Sequence, residues 1–279
     1  MKLRLLILLL LSVPALAAPS SETMAERNLR LLVERQNLLM NQADPASPHF
    51  DIEQFKSQVQ KLSQSYEAFL ADNPDFAAGF AAYGLLLSKV GMDRESAVML
   101  LKANQIDADI PLVKNQLGNY LAEHAQPLDA VNYYLAAIKL APNEPLYHYQ
   151  LGTLLHEARD EFLKSGEWTT DSVDAAMHDA FRQAAELAPD RIEFTYRYAE
   201  SFYDLPKPDW EAALKVWASL EEKARSAVER ETMRLHAANV CLKMGKVDHA
   251  RLLLSSVDDP ALAAQKQKLV AQLPVEGDK

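Results

Sequence analysis

The stretch that decides the fold is residues 116–145, which read QLGNYLAEHAQPLDAVNYYLAAIKLAPNEP. Its apolar residues recur at helical spacing on both sides of a short break. A first helix is predicted to end near His124, a turn follows at Gln126-Pro127, and a second helix runs until Pro142 stops it. The stretch therefore predicts a hairpin of two antiparallel helices.

The hairpin pattern returns along the chain at a fixed interval. Gly84, Gly118 and Gly152 are equally spaced, and a leucine occupies the third position after each glycine. Their interval of about 34 residues is within the range of roughly 20 to 50 that is typical of stacked supersecondary units. Gly118, facing Ala130 and Ala137 on the second helix, lets the two backbones approach closely. One hairpin cannot bury both of its faces, so stacking of successive hairpins is expected.

The pattern resembles the tetratricopeptide repeat (TPR), with leucine-glycine on the first helix and Ala130, Tyr134, Ala137 and Pro142 on the second. The resemblance covers roughly residues 50–258 and implies an all-α fold, a right-handed solenoid of stacked antiparallel hairpins with a concave groove. The predicted units are residues 77–110, 111–144, 145–191 with an insertion, 192–225 and 231–258. Residues 18–50 (N-terminal helix and linker), 51–76 (a degenerate repeat element) and 259–279 (capping helix and tail) flank them.

Three capping signals place further helix starts. They are Thr23 with Glu26, Asp51 with Gln54, and Ser226 with Glu229.

The insertion, roughly residues 158–172, is expected to lengthen both helices of its hairpin. EARDEFLK continues the helical pattern, Gly166 lies in the turn, and Thr170 or Asp171 is the expected N-cap. Trp168 lies near the predicted tip. We favour a ring folded back onto the helices, and the alternative is an anchor for a partner.

Residues 1–17 predict export from a bacterial cell. Lys2 and Arg4 precede a short apolar run at residues 5–13 and the small-residue site Ala15-Leu16-Ala17, a pattern typical of a secretory signal peptide cleaved after Ala17. No later apolar run reaches the roughly 18 residues of a membrane-spanning helix. The expected product is a soluble periplasmic or extracellular protein.

Composition excludes several functions. The net charge of -10 disfavours nucleic acid as a partner, and the single Cys excludes a disulfide scaffold. No phosphate-binding loop, dinucleotide fingerprint or nucleophile elbow occurs, so no cofactor and no enzymatic activity are expected. Cys241 occupies a position that is leucine in other units, which predicts a buried packing residue.

One pentapeptide leaves a catalytic alternative open. His156, Glu157 and Asp160 lie on one helical stretch in a spacing similar to that of a zinc protease, with His178 and His148 as additional candidate ligands. The alternative reading is a metal-dependent hydrolase. We favour a solvated charged face without a metal.

The TPR resemblance also implies which side chains face the groove. Carried over by repeat position, the candidate partner-binding residues are Asn115, Asn119, Glu123, Tyr149, Thr153, His156, Glu157, Tyr196, Glu200, Tyr203 and Asp204, with Trp168 as a separate candidate. Ordinary exposed helix positions are the alternative for each. The set holds carboxylates, Tyr and Asn but no Lys or Arg. Because Asn115 stands where a carboxylate clamp has Lys, a clamp for a peptide C-terminus is not expected.

The prediction is a non-catalytic scaffold or adaptor of the periplasm that binds a protein or peptide. The tyrosines would stack on a segment carrying Lys or Arg, and Asn115 and Asn119 would bond to its backbone. A third alternative is an architectural homo-oligomer formed through the convex face.

Overall fold

The computed structural model describes residues 22–43, 47 and 50–274. These residues form helices and turns with no β-strand among them, which confirms the predicted all-α class. The predicted signal peptide (residues 1–17) and most of the predicted linker lie outside the described residues.

The chain divides into two compact units, the first ending at Met92 and the second beginning at Asp93. The predicted repeat at residues 77–110 therefore contributes one helix to each unit. The helices of the first unit are α1 (Met24–Gln42), α2 (Ile52–Asp72) and α3 (Ala77–Lys89).

The helix starts of the first unit follow their capping signals. Thr23 and Glu26 form a reciprocal capping box at α1, and the Asp51 carboxylate accepts from the backbone N–H of Gln54 at α2, as predicted. The three helices pack on one another through buried aromatic side chains. Tyr66 stacks on Tyr83 with ring centroids 5.3 Å apart.

The second unit contains eleven α-helices within its described residues. They are α4 (Asp93–Ile106), α5 (Pro111–Glu123), α6 (Pro127–Leu140), α7 (Pro145–Glu157), α8 (Arg159–Ser165), α9 (Thr170–Leu187), α10 (Ile192–Ser201), α11 (Trp210–Lys223), α12 (Ala227–Lys243), α13 (Val247–Ser255) and α14 (Ala263–Val270). A short 3-10 turn at Phe202–Asp204 follows α10, and another at Pro260–Leu262 precedes α14.

The hairpin of α5 and α6 has the predicted close contact. A Cβ added to Gly118 would lie 2.8 Å from the ring of Tyr134, so only glycine fits against that ring. Ala130, Tyr134 and Ala137 are buried on α6, as the repeat pattern predicts. The glycine thus sets how closely the two helices approach.

The hairpin of α7 and α9 repeats this contact. A Cβ on Gly152 would lie 2.8 Å from the ring of Phe181. The second helix is longer than in the preceding hairpin, because α9 has 18 residues and α6 has 14. The predicted lengthening of the second helix is therefore confirmed.

The predicted lengthening of the first helix is wrong. Helix α7 ends at Glu157, a turn at Ala158 follows, and α8 is a separate helix of 7 residues. The turn lets the insertion fold back, so that Phe162 is fully buried in the core of this hairpin. Burial of a side chain of this size stabilises the fold by about 2 kcal/mol relative to leaving it in water.

The N-cap of α9 also differs from the prediction. Thr169, one residue before the expected Thr170, accepts from the backbone N–H of Ser172, while the Ser172 hydroxyl accepts from the Thr169 backbone N–H. The reciprocal pair satisfies two N–H groups at once, which neither Thr170 nor Asp171 does here.

The last hairpin, α12 and α13, follows the repeat pattern with alanine in place of glycine. Ala238 and Ala250 are fully buried, and Cys241 beside them is buried as predicted. Ser226 forms the predicted capping box with Glu229 at the start of α12. The capping helix predicted within residues 259–279 is present as α14, and a 3-10 turn at Pro260–Leu262 precedes it.

Candidate functional site

Side chains on the first helices of consecutive hairpins meet in the second unit. The Nε2 of Gln150 on α7 donates to the Oδ1 of Asn119 on α5 at 2.9 Å. The ring of Tyr149 on α7 lies 4.6 Å from that of Phe194 on α10, and the Tyr196 hydroxyl lies 3.2 Å from Nε2 of His236 on α12. These four helices therefore share one surface, which we call the first-helix face. Its members are the predicted residues on α5, α7, α10 and the turn Phe202–Asp204, together with Gln150, Arg197 and His236.

A network of amides crosses this face. Asn115 Nδ2 donates to Gln150 Oε1, and the Tyr134 hydroxyl donates to Asn119 Oδ1 at 2.8 Å. Asn119 is half-buried, and its amide nitrogen donates no hydrogen bond within the described residues. It therefore keeps a donor for a ligand.

Asn115 does not lie on the exposed surface that the repeat pattern predicts for it. Its side chain is fully buried, its amide nitrogen is bound to Gln150, and its Oδ1 is buried without a hydrogen-bond partner in the described part of the chain. Asn115 is the fifth residue of its predicted unit (residues 111–144), and its amide points towards Gln150 on the neighbouring helix α7. In this conformation Asn115 supports the face and does not touch a ligand directly.

Acidic side chains occupy the thirteenth position of three consecutive units, counted from the first residue of each predicted unit (111, 145 and 192). They are Glu123, Glu157 and Asp204, all exposed at the end of a first helix or in the turn after it. Burial raises the pKa of Tyr134, and the negative charges of Glu123 and Glu157 raise it further, which places both carboxylates near this hydroxyl. The face is therefore negative along this row.

Asp204 has a histidine as its neighbour. Its Oδ2 lies 3.8 Å from Nδ1 of His156, and the two side chains are equally exposed. Partial burial raises the pKa of Asp204, while the charge on His156 acts in the opposite direction. A protonated His156 ring would form an ion pair with this carboxylate.

The face also contains a cation that the sequence analysis missed. Arg197 Nη1 lies 2.7 Å from Glu200 Oε2, and its guanidinium carbon lies 5.2 Å from the centre of the Phe181 ring. Glu200 is thereby neutralised, although it was predicted as part of an acidic groove. The negative character of the face comes from the thirteenth positions instead.

The predicted tyrosines are anchored and only partly exposed. Tyr149 packs on Phe181 and Phe194, and Thr153 donates to the Tyr149 carbonyl oxygen at 3.0 Å. Tyr196 meets Trp217 edge to face with centroids 5.3 Å apart. Because their rings are held by the core, these tyrosines offer a rigid edge to a ligand.

Tyr203 and His236 extend the aromatic surface towards α12. The Tyr203 hydroxyl donates to the His236 carbonyl oxygen at 3.3 Å, and the His236 ring stacks on Trp217 at 4.1 Å. Burial lowers the pKa of His236 and raises the pKa of Tyr203 to about 12. Both rings are therefore neutral at pH 7.

Gln150, Arg197 and His236 share the sixth position of their units. This position was not carried over from the family pattern, although the predicted unit starts at residues 145, 192 and 231 align the three residues. Gln150 bonds to Asn115 and Asn119 on the preceding first helix, and His236 meets the Tyr196 hydroxyl on the first helix before its own. Arg197 instead lies against Phe181 on α9.

The Trp168 ring folds back onto the helices, which is the arrangement that we favoured from the sequence. The ring meets Phe162 at 5.3 Å in an edge-to-face contact and remains partly exposed. It lies on the insertion and packs in the core of the third hairpin.

Two of the histidines considered as metal ligands are engaged in other contacts. His148 Nε2 lies 2.8 Å from the Pro142 carbonyl oxygen, and His178 Nδ1 lies 2.8 Å from Ser201 Oγ. Asp160 and Glu157 are exposed. Among the residues that the structure describes, no three His, Cys, Asp or Glu side chains are grouped to hold a metal ion.

No helix in the described ranges is both long enough and apolar enough to cross a membrane.

No protein-family model matches the chain, and no curated protein matches it by sequence. Solved structures match it in fold. YrrB, described as a TPR protein with an unusual peptide-binding site, is 16% identical with a TM-score of 0.60 over 74% of this chain and 99% of its own. PilF of Pseudomonas aeruginosa is 12% identical with a TM-score of 0.60 over 90% of this chain and 100% of its own. The Naa15/Naa10 complex bound to HypK-THB is 15% identical with a TM-score of 0.58, over 90% of this chain and 34% of the matched one. The chain therefore has the fold of the tetratricopeptide-repeat proteins, an all-α array of helical hairpins.

Proposed function

We propose that this protein is a non-catalytic scaffold of the bacterial periplasm, which binds a segment of a partner protein on the first-helix face. The observation that carries the proposal is the row of carboxylates at Glu123, Glu157 and Asp204, one on each of three consecutive hairpins. Such a row favours a segment with Lys or Arg side chains. Peptide binding by a protein of the same fold, YrrB, supports the class of ligand.

The spacing of the row favours an extended ligand. Helices packed side by side lie roughly 8–10 Å apart. A polyproline II segment advances about 3.1 Å per residue, so that every third side chain reaches the next carboxylate. The edges of Tyr149 and Tyr196 then contact the residues between, and Asn119 donates to the peptide backbone.

The test uses two labelled synthetic peptides of identical composition, one with arginine at every third residue and one with the arginines adjacent. Fluorescence anisotropy should show tighter binding of the spaced peptide by the chain without residues 1–17. The triple variant Glu123→Gln, Glu157→Gln, Asp204→Asn should lose roughly tenfold in affinity for it, the sum of three partly exposed ion pairs. Added salt should weaken binding to the wild type more than binding to the variant.

A control variant carries the same charge change on second helices: Glu95→Gln, Glu222→Gln and Asp129→Asn, all exposed in the wild type. We expect it to bind like the wild type. Equal affinities of the two triple variants would refute the proposal, because the effect would then come from net charge alone.

A further inference from the structure

The first unit carries an apolar groove that the proposed function does not use. It has a volume of about 720 Å³ and follows α2 and the end of α3. Its apolar lining comes from Ile52, Phe55 and Val59 on α2, and from Val90 and Met92 in the turn after α3. Ile52 is 49% exposed and Met92 is 41% exposed, so these side chains are open to water.

The groove follows a face of α2 that is exposed over its first half and meets α3 at Glu67, which bonds to Tyr83. The side chains that α2 buries are Leu62, Tyr66, Phe69 and Leu70. The groove uses a different stripe, which returns at each turn from Ile52 through Val59 to Glu67. At 1.5 Å per residue the stripe is roughly 22 Å long. A surface of this length fits a helix better than a compact small molecule.

Charge is unequal along the groove. The contact of Phe69 with Gly79 and of Tyr66 with Tyr83 shows that α2 and α3 are antiparallel, so Lys89 lies beside the first half of α2. Lys89 forms no ion pair within the described residues, and partial burial lowers its pKa. At the other end Glu67 accepts a hydrogen bond from the Tyr83 hydroxyl at 3.0 Å. An unpaired ammonium at the edge of an apolar stripe is complementary to a carboxylate.

We propose that this groove binds an amphipathic helix of a partner protein, with an acidic residue beside its apolar face that pairs with Lys89. Apolar side chains of the helix cover Ile52, Val59 and Met92, while its carboxylate compensates the ammonium. The groove favours a segment with a negative charge, whereas the first-helix face favours a segment with positive charges. The two surfaces therefore select different segments.

The test uses two labelled synthetic peptides of about 16 residues with the same leucine stripe, roughly 24 Å when helical. One carries glutamate beside the stripe, and the other carries lysine there. Fluorescence anisotropy with the chain lacking residues 1–17 should show binding of the glutamate peptide roughly two- to fivefold tighter, as a partly exposed ion pair allows. Lys89→Glu should reverse this preference.

Val59→Asp should reduce the affinity for either peptide by more than roughly tenfold, because it places a charge in the apolar stripe. Gln64→Asp, an exposed position on α2 that does not line the groove, is the matched control and should bind like the wild type. Circular dichroism establishes that each variant is folded. The proposal would be overturned if neither peptide bound, or if both bound equally and Lys89→Glu changed nothing. It would also be overturned if the chain self-associated and Val59→Asp abolished that association, because the occupant would then be a second copy of the chain.

Discussion

The α5–α6 and α7–α9 hairpins differ by the insertion, yet they share one packing contact. In each, a glycine on the first helix lies against an aromatic ring on the second: Gly118 against Tyr134, and Gly152 against Phe181. The inserted residues fold as α8 and the start of α9, outside that contact. The comparison shows that the contact defines the hairpin, while the length of chain between its two residues is free to vary.

The longer hairpin also requires an interaction that the shorter one lacks. The Arg159 guanidinium donates two hydrogen bonds to the carboxylate of Asp174, at 2.7 and 2.9 Å. Asp174 is only 1% exposed, whereas Arg159 is partly open to water. This pair ties α8 to α9 and compensates a buried charge.

The largest expected effect comes from filling the shared contact. Gly118→Val and Gly152→Val should each lower the free energy of unfolding by about 2–3 kcal/mol, because the added carbons overlap an aromatic ring. Urea denaturation followed by circular dichroism measures both losses. Losses that differ by more than about 1 kcal/mol would show that the two contacts are not equivalent.

The next effect is specific to the longer hairpin. Arg159→Ala should cost about 2 kcal/mol, less than the roughly 3–5 kcal/mol of a fully buried pair, because water reaches part of the site. Arg182→Ala on α9, which removes exposed ion pairs with Asp179 and Glu186, is the control and should cost below about 1 kcal/mol. Equal losses in urea denaturation would argue against a buried charge at Asp174.

A smaller effect follows from exchanging the two rings. Tyr134→Phe gives the shorter hairpin the ring of the longer one and removes the hydrogen bond to Asn119, which should cost about 1 kcal/mol. The bond from Gln150 to the same oxygen remains. Thermal denaturation measures the loss, and an unchanged midpoint would show that the hydroxyl contributes nothing to the contact.

The smallest effect is a pH dependence. His178 in the longer hairpin aligns with Val131 in the shorter one, and burial together with the positive charge of Arg182 lowers the pKa of His178. Since the folded state disfavours the charged ring, its contribution to stability is present above the ordinary pKa of about 6.5 and is lost as pH falls below it. His178→Val should therefore reduce the loss of stability between about pH 7 and pH 5. A steeper loss in the variant would contradict this sign.

Local signals in the sequence predicted local structure well. The caps at Thr23, Asp51 and Ser226 and the contact at Gly118 depend on residues near one another in the chain, and all are confirmed. The turn at Ala158 was missed because nothing at that residue breaks a helix. The cause is the burial of Phe162, which depends on tertiary packing.

The sequence predicted most of the residues that lie on the first-helix face, but it did not predict which of them are buried. The repeat positions carried over from the family pattern located the thirteenth-position carboxylates. They did not show that Asn115 is buried, because its burial depends on packing against the next hairpin. The pair of Arg197 and Glu200 lies three residues apart on one helix, so the sequence alone could have predicted it. Whether the exposed members of the face bind a partner stays a prediction.

The shared glycine contact has a consequence for folding kinetics. Its two residues, Gly118 and Tyr134 in the shorter hairpin, are closer in the chain than Gly152 and Phe181 in the longer one. Closing the longer loop costs only about 0.5 kcal/mol more in chain entropy, since the cost grows with the logarithm of loop length. The insertion therefore slows formation of its hairpin by little more than a factor of about two, so of these two hairpins that of α5 and α6 is expected to form first.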